Sequence, residues 1–281
     1  MERNKDKLCT VRDIIDMIES VIPVQLQESW DNSGAQVISA DSGVRKVLLA
    51  IDIDKRVVEE ATAAGADMIV THHPLMFDSV KRIDDSTGKG ALICNVIRKG
   101  ISVYSCHTPF DKIKGGNNDW IAELLGLTSV KNLAGESVDG PAKMIENRSD
   151  ADIGRIGKLK EAVTVRQMLG RITAELDVSL REIRVAGDID RIVKNVGVCT
   201  GAGADLVAMA KDSGCNMFVT GDLKYHEAQL ADELNICIVD AGHYHTEKFF
   251  GKAFAAMMEK KLADKVEICL SKVDFDPFIM L

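Results

Sequence analysis

The chain has no Cys-x-x-Cys pair. Its seven cysteines (Cys9, Cys94, Cys106, Cys199, Cys215, Cys237 and Cys269) are odd in number, scattered, and mostly in or beside apolar segments. This excludes a zinc ribbon or a disulfide framework and fits buried, reduced thiols. Cys106, beside His107, is read as a small core residue at a strand end, against the alternative that it is a ligand or nucleophile. No apolar run reaches the roughly 20 residues of a membrane-spanning helix, so no membrane partner is expected. The opening Met1-Glu2-Arg3-Asn4-Lys5-Asp6-Lys7 lacks the apolar centre of a signal peptide, which makes a cytoplasmic location the default. No basic stripe offsets the net charge of −8, which argues against a general nucleic-acid binder. No Gly-x-x-x-x-Gly-Lys-Ser/Thr loop is present, and Gly201-Ala202-Gly203, a weak hint of a phosphate loop, is read first as a tight turn into a helix.

What is present is a regular alternation of apolar strands and amphipathic helices. Strands are expected at Ala35–Ile38, Val47–Ile51, Met68–Val70, Ile101–Tyr104, Ile183–Ala186, Val196–Val198, Met217–Val219, Ile236–Val239 and Val266–Leu270. Helices fill the gaps, among them Lys55–Ala64, Gly90–Lys99, Asp119–Leu125, Ala204–Asp212, Tyr225–Leu234 and Thr246–Lys260. The alternation reads as an α/β protein with mixed or mainly parallel sheets flanked by helices. Gly126 to Lys160 breaks it with Gly, Ser, Asp and Pro141. The expected organisation is a first α/β lobe over 1–128, a connector over 129–160 and a second α/β lobe over 161–281.

The two lobes are related. Val47–Ile51 and Gly65–Thr71 map onto Val196–Thr200 and Gly214–Thr220 with a constant shift of 149 positions. The lobes also begin alike, with Thr10-Val11-Arg12-Asp13 and Thr164-Val165-Arg166-Gln167. Each pairs a threonine N-cap with an acceptor three residues on, as in a capping box. A later shift of 136 maps His107 onto His243 and Asp111 onto Glu247. The difference, 149 − 136, is a 13-residue deletion in the second half, where the first has a polar loop from Asp78 to Gly90.

Those last pairs carry the chemistry. In each, a histidine follows an apolar strand and a carboxylate stands four residues later. A helix starting there puts both side chains on one face, and imidazole with carboxylate suits borderline divalent metals. His72-His73-Pro74 ends a third strand. Adjacent residues of an extended segment point oppositely, so these two histidines are expected to serve separate ions, or one to orient the other. All six histidines of the chain lie just past the C-terminal end of an expected strand, where open α/β sheets gather ligands. Four histidines (His72, His73, His107, His243) and two carboxylates (Asp111, Glu247) exceed the three protein ligands usual for one catalytic zinc. Two divalent ions per subunit, bridged by Asp111 and Glu247, are expected; zinc, iron, manganese, cobalt and nickel all suit the donors. Their surplus positive charge favours a small anionic substrate and a hydrolytic reaction.

These motifs resemble the GTP cyclohydrolase 1 type 2 / Nif-three-like family of dinuclear metal-centre proteins. The resemblance runs through Trp30-Asp31-Asn32-Ser33-Gly34, Thr71-His72-His73-Pro74-Leu75-Met76-Phe77, Ser105 to Asp111, Thr220-Gly221-Asp222-Leu223-Lys224-Tyr225-His226-Glu227 and Gly242 to Glu247, and so covers nearly the whole chain. It implies two interlinked α/β lobes with the metal site between them, and a homo-oligomeric ring, a hexamer, with the sites facing its interior. It carries over His72, His73, Asp111, His243 and Glu247 as ligands, with His107 near or in the site. Lys224 and His226 become candidates for binding substrate anion or moving a proton, against the alternative that they only begin the Tyr225 helix. Trp30 is expected to pack and Asp31 or Asn32 to cap a turn before Gly34.

Two function classes follow. The first is a metal-dependent hydrolase of a small anionic or nucleotide-like substrate; the family name implies ring opening of GTP. No catalytic residue beyond the metal ligands is singled out. The second is a non-enzymatic metal-binding hexamer that acts as a scaffold or through regulatory partners, with metal storage as a variant.

Overall fold

The computed structural model describes residues 8–134 and 153–279. The middle of the expected connector, including Pro141, lies outside the described residues. In chain order the first elements are β1 (Cys9–Thr10), α1 (Val11–Glu19), β2 (Gly34–Val37), β3 (Gly43–Val44), β4 (Lys46–Ala50), α2 (Lys55–Ala64), β5 (Met68–Thr71), α3 (Gly88–Lys99), β6 (Ser102–Ser105), α4 (Thr108–Lys112) and α5 (Asn117–Leu124). There follow β7 (Thr128–Asn132), β8 (Arg155–Thr164), α6 (Val165–Leu176), β9 (Arg184–Ala186), β10 (Ile192–Val198), α7 (Val207–Asp212), β11 (Met217–Thr220), α8 (Tyr225–Glu233), β12 (Cys237–Asp240), α9 (His243–Glu247), α10 (Phe250–Leu262) and β13 (Glu267–Leu270).

The described chain divides into two compact units. One runs to Phe110 and includes Phe250–Phe275; the other comprises Asp111–Phe249 and the segment from Asp276. The chain therefore passes from one unit to the other three times. This differs from the expected boundaries at 128, 160 and 161. Two causes are visible. β7 and β8 overlap the two ends of the expected connector but pair with each other and, through β8, with β10. The C-terminal β13 pairs with β4 of the first unit, from Glu267↔Lys46 to Leu270↔Leu49. Pairing that distant leaves no local mark in a sequence.

The first unit holds a sheet of order β13-β4-β5-β6-β2. Its first four strands are parallel and β2 is antiparallel to β6. β5 and β6 are buried along their whole length, as parallel strands covered on both faces must be. Leu48, Ile69 and Val103 face α2 and α3 through Val57, Val58, Ala61, Ile93 and Val96. In the second unit the sheet order is β7-β8-β10-β11-β12-β9. Alternate residues serve opposite layers: Met217 and Val219 join α5 and α6, while Phe218 joins α7 and α8.

The duplication is visible in this topology. β4-β5-β6-β2 and β10-β11-β12-β9 share one pattern of three parallel strands closed by an antiparallel one. β5 and β11 differ by the same 149 positions read from the sequence. Both capping boxes form: Thr10 Oγ1 accepts from Asp13 N and Thr164 Oγ1 from Gln167 N, each at 3.2 Å. Asp13 and Gln167 accept in return from the cap N–H groups, at 2.8 and 2.9 Å. The halves differ at the edge of the shared pattern, where β4 gains a parallel neighbour and β10 an antiparallel one. Among the described residues no helix is long and apolar enough to cross a membrane.

Candidate metal centre

In the first unit, three histidines converge. The chain leaves β5 at Thr71 and bends, and Thr71 Oγ1 donates to the His73 carbonyl at 2.7 Å. The bend cancels strand alternation. The His72 and His73 rings lie with centroids 4.9 Å apart, and the ring of His107, after β6, joins them at 5.2 and 5.5 Å. One nitrogen from each falls within 4.8 Å of the other two. The expectation that neighbouring histidines point apart fails here for that local reason.

The other ring nitrogens explain the aim. His72 Nδ1 is 2.9 Å from the Cys106 carbonyl, which can only accept, so Nδ1 carries the proton. His73 Nδ1 pairs with Asp52 at 2.9 Å and His107 Nδ1 with Asp31 at 2.8 Å. In each neutral ring Nε2 becomes the basic nitrogen, the arrangement found behind metal-binding imidazoles. Burial pushes the Asp31 carboxyl up, but the hydrogen bond and charge of His107, with hydrogen bonds from Ser33 and Thr108, outweigh it and hold the pKa well below the usual carboxylate range. Asp31 is therefore a fixed anion. It also accepts from Asn32 N at 2.7 Å; the turn here closes at Asp31, whose N–H donates to the Glu28 carbonyl at 3.0 Å, ahead of the position expected. Trp30, expected to pack, is 55% exposed and stands beside Phe77 and His107, with ring centroids 6.1 and 5.8 Å away.

The second unit supplies Asp111, His243 and Glu247. His243 and Glu247 occupy one face of α9, four residues apart as expected. His243 Nδ1 is 2.8 Å from Asp222, so Nε2 again bears the lone pair. That nitrogen faces the buried Glu247 carboxylate at 3.0 Å. Two lone-pair atoms that close repel unless a positive charge, a proton or a metal cation, lies between them. Two ligands of a tetrahedral zinc with bonds of about 2.0–2.2 Å stand roughly 3.4 Å apart, so the pair is set near a metal's bite. A carboxylate oxygen of Asp111 lies within 4.8 Å of one from Glu247. Asp111 is buried and accepts from Asn117 Nδ2 at 3.0 Å.

Gly201 makes room for this pair. Its φ is +65°, and a Cβ there would fall 2.2 Å from Glu247 Oε1. Its N–H donates to Thr246 Oγ1 at 3.0 Å, which anchors α9. The Gly-Ala-Gly stretch is thus a turn, as expected, and also a seat for the ligand helix. Arg155 is a second feature that patterning missed. Its side chain is fully buried and donates to the carbonyls of Lys112 and Ile113, at 2.8 and 3.1 Å, just after Asp111.

Lys224 and His226 stand apart from these donors in character. Lys224 is exposed, and its N–H donates to Glu227 at 2.8 Å to begin α8. His226 Nδ1 is 3.0 Å from Gln229 Oε1. Cys106 gives its carbonyl, and burial holds its thiol well above the ordinary range, with the Glu19 charge adding to the effect. The described residues thus contain buried His, Asp and Glu groups of the right type to hold metal ions.

The chain is similar over 268 residues to a Clostridium perfringens protein named GTP cyclohydrolase 1 type 2 homolog, with 34% identity covering 95% of this chain and 98% of that one. A Clostridium acetobutylicum protein of the same name is 30% identical, over 95% of this chain and 97% of its own length. The fold matches the crystal structure of a Bacillus cereus protein related to NIF3 with a TM-score of 0.87 and 27% identity, over 98% of this chain and 100% of that one. Residues 9–277 match the family described as Duf34/NIF3 (NGG1p interacting factor 3), and with the fold and donors above this establishes that the chain belongs to the Duf34/NIF3 family.

Proposed function

We propose that this chain is a metal-dependent hydrolase of a small anionic, nucleotide-like substrate, holding two divalent ions per subunit on His72, His73, His107, Asp111, His243 and Glu247. The observation that carries the metal reading is the 3.0 Å approach of His243 Nε2 to the Glu247 carboxylate while His243 Nδ1 is committed to Asp222. The three Nε2 atoms oriented by Cys106, Asp52 and Asp31 support it. When bound, such ions activate water and stabilise developing negative charge. The residues around them fix ring tautomers and hold the donors in place. Trp30 and Phe77, both about half exposed and edge-on to His107, offer flat apolar walls suited to a planar ring. Relatives named GTP cyclohydrolase 1 type 2 homolog point the same way. Lys224 and His226 are proposed as secondary contacts for the substrate's charge, the assembly as a hexamer and the location as cytoplasmic.

The test is elemental analysis of the purified protein, then a screen of nucleotides and phosphoesters with and without chelator. Turnover abolished by chelator and by Glu247→Gln, with the fold intact, is the expected result. Metal content unchanged in His72→Gln and Glu247→Gln would overturn the ligand assignment. A second reading rests on the family description, which names an interacting factor and not a reaction. It requires a wild-type protein that holds metal, turns over nothing in the screen, and binds its partner equally well as Glu247→Gln.

A further inference from the structure

Helix α9 carries a third potential donor between the two discussed above. His245 lies on the side of α9 away from His243 and Glu247, since two residues turn a helix by about 200°. There its ring meets two carboxylates from distant parts of the second unit. Glu182 comes from the turn before β9, and Asp276 from the irregular segment after β13. One donor atom from each of the three falls within 4.8 Å of the other two. The site is partly buried: the His245 and Asp276 side chains are 13% and 17% exposed, and Glu182 is half-buried.

The state of His245 Nε2 marks this cluster out. The atom is inaccessible to solvent, and no hydrogen bond satisfies it. Asp276 Oδ2 is only 3.1 Å away, so what fails is alignment, not distance. Leaving a buried polar atom in this condition is unfavourable, and a cation shared with both carboxylates would remove the defect. Gly242 leaves room for the ring, because a Cβ on that residue would lie 3.2 Å from His245 Cδ2.

We propose that Glu182, His245 and Asp276 form a separate site for a divalent transition-metal ion such as zinc. One imidazole and two carboxylates are a three-ligand set that leaves a fourth position open. The remaining polar contacts agree with this after one adjustment. Glu182 Oε2 accepts from Ser179 N at 2.7 Å and Asp276 Oδ1 from Phe278 N at 2.9 Å, bonds that orient both carboxylates. Lys248 Nζ stands 3.3 Å from His245 Nδ1 and can only donate, so without an ion the ring proton sits on Nε2. An ion at Nε2 moves that proton to Nδ1 and turns Lys248 to Asp177, whose carbonyl and carboxylate are already 3.0 and 3.7 Å away. The ion would tie the short α9, the turn before β9 and the C-terminal segment together, and so stiffen the helix that presents His243 and Glu247.

The test uses the full chain, stripped with chelator and dialysed against buffered zinc. Zinc is counted by elemental analysis, and melting is followed with and without zinc. Asp276→Asn and Glu182→Gln are each expected to bind one zinc fewer per chain than wild type and to lose part of the zinc-induced rise in melting temperature. Asp276 lies outside any helix or strand, so that variant is expected to fold; circular dichroism checks both. Equal zinc counts in wild type and both variants would overturn this site. The proposal stands apart from the hydrolase reading: a loss in Glu247→Gln without a loss in Asp276→Asn defeats it alone, and the reverse pattern defeats only the other.

Discussion

The Arg155 guanidinium holds the Asp119 carboxylate with Nε 2.9 Å from Oδ1 and Nη2 3.2 Å from Oδ2, while its side chain is entirely out of solvent. The same Nη2 reaches the two carbonyls that follow Asp111. One buried side chain therefore ties β8, the end of α4 and α5 together, and with them the backbone that presents Asp111.

Removing that charge leaves Asp119 and two carbonyls facing an apolar gap. Arg155→Met is expected to destabilise the protein by about 3–5 kcal/mol, the usual cost of breaking a buried pair from one side. Arg155→Lys retains the charge but not the planar fork, and is expected to recover only part of the loss. Urea denaturation of both variants decides this; a loss below about 1 kcal/mol for the methionine variant would show that Arg155 is not the tie described here.

The aspartates behind the histidines should all act on metal affinity, and two of the three should leave folding unchanged. Asp52→Asn, Asp31→Asn and Asp222→Asn each weaken the partner that fixes a ring's tautomer. A loss of about 10–100-fold in metal affinity is expected for each, measured by competition with a coloured chelator. Asp31 also ties Ser33 and Thr108, so its variant alone is expected to lose stability as well.

Gly201→Ala puts a methyl group where Glu247 Oε1 now lies, on a backbone of positive φ. The variant is expected to displace α9 and lower metal content even though no ligand has changed. Metal content equal to wild type would mean that α9 holds its place without the close approach.

Burial pushes the Cys215 and Cys237 thiols up, to about 12 and about 11. For Cys237 the nearby Arg191 opposes the shift and Asp188 adds to it. An unfolded thiol ionises near 8.5, so the unfolded chain gives up these protons first. Their contribution to stability is complete below about pH 8.5 and declines as the pH rises towards 11. The stability difference between wild type and Cys237→Ala should hold up to about pH 8.5 and shrink from there towards pH 11 in denaturant titrations. At pH 8 the native chain should be alkylated at Cys9, Cys94 or Cys269, which are partly exposed, well before Cys215 or Cys237.

The sequence made the repeat and the main donors legible because both are local. Period, cap and turn residues marked β4, β5, β6, β10, β11 and β12, and placed His243 and Glu247 on one face of a helix. It could not mark what depends on distant chain. The pairing of β13 with β4 joins residues more than 200 positions apart, and β8 has an irregular register against β10. The hidden partners follow the same rule. Asp31 lies 76 residues from His107, and nothing in Trp30-Asp31-Asn32 announces an imidazole. The periodic signal also missed a break: the Thr246–Lys260 stretch, read as one helix, divides into α9 and α10 at Lys248 and Phe249. Asp222 is a partial exception. It occupies the position that the 149-residue shift assigns to His73, so one half has put a carboxylate where the other has a histidine.

The outer strand β13 gives the first sheet a calendar. On the ribosome the second sheet has all its strands once Asp240 has emerged, whereas the outer side of β4 stays open until residues 267–270 are made. Until then β4, whose last four residues are buried in the finished protein, presents an unpaired apolar rim. Chains cut short after α10 should therefore accumulate as aggregates, and full-length chains should acquire protease resistance in the second unit first.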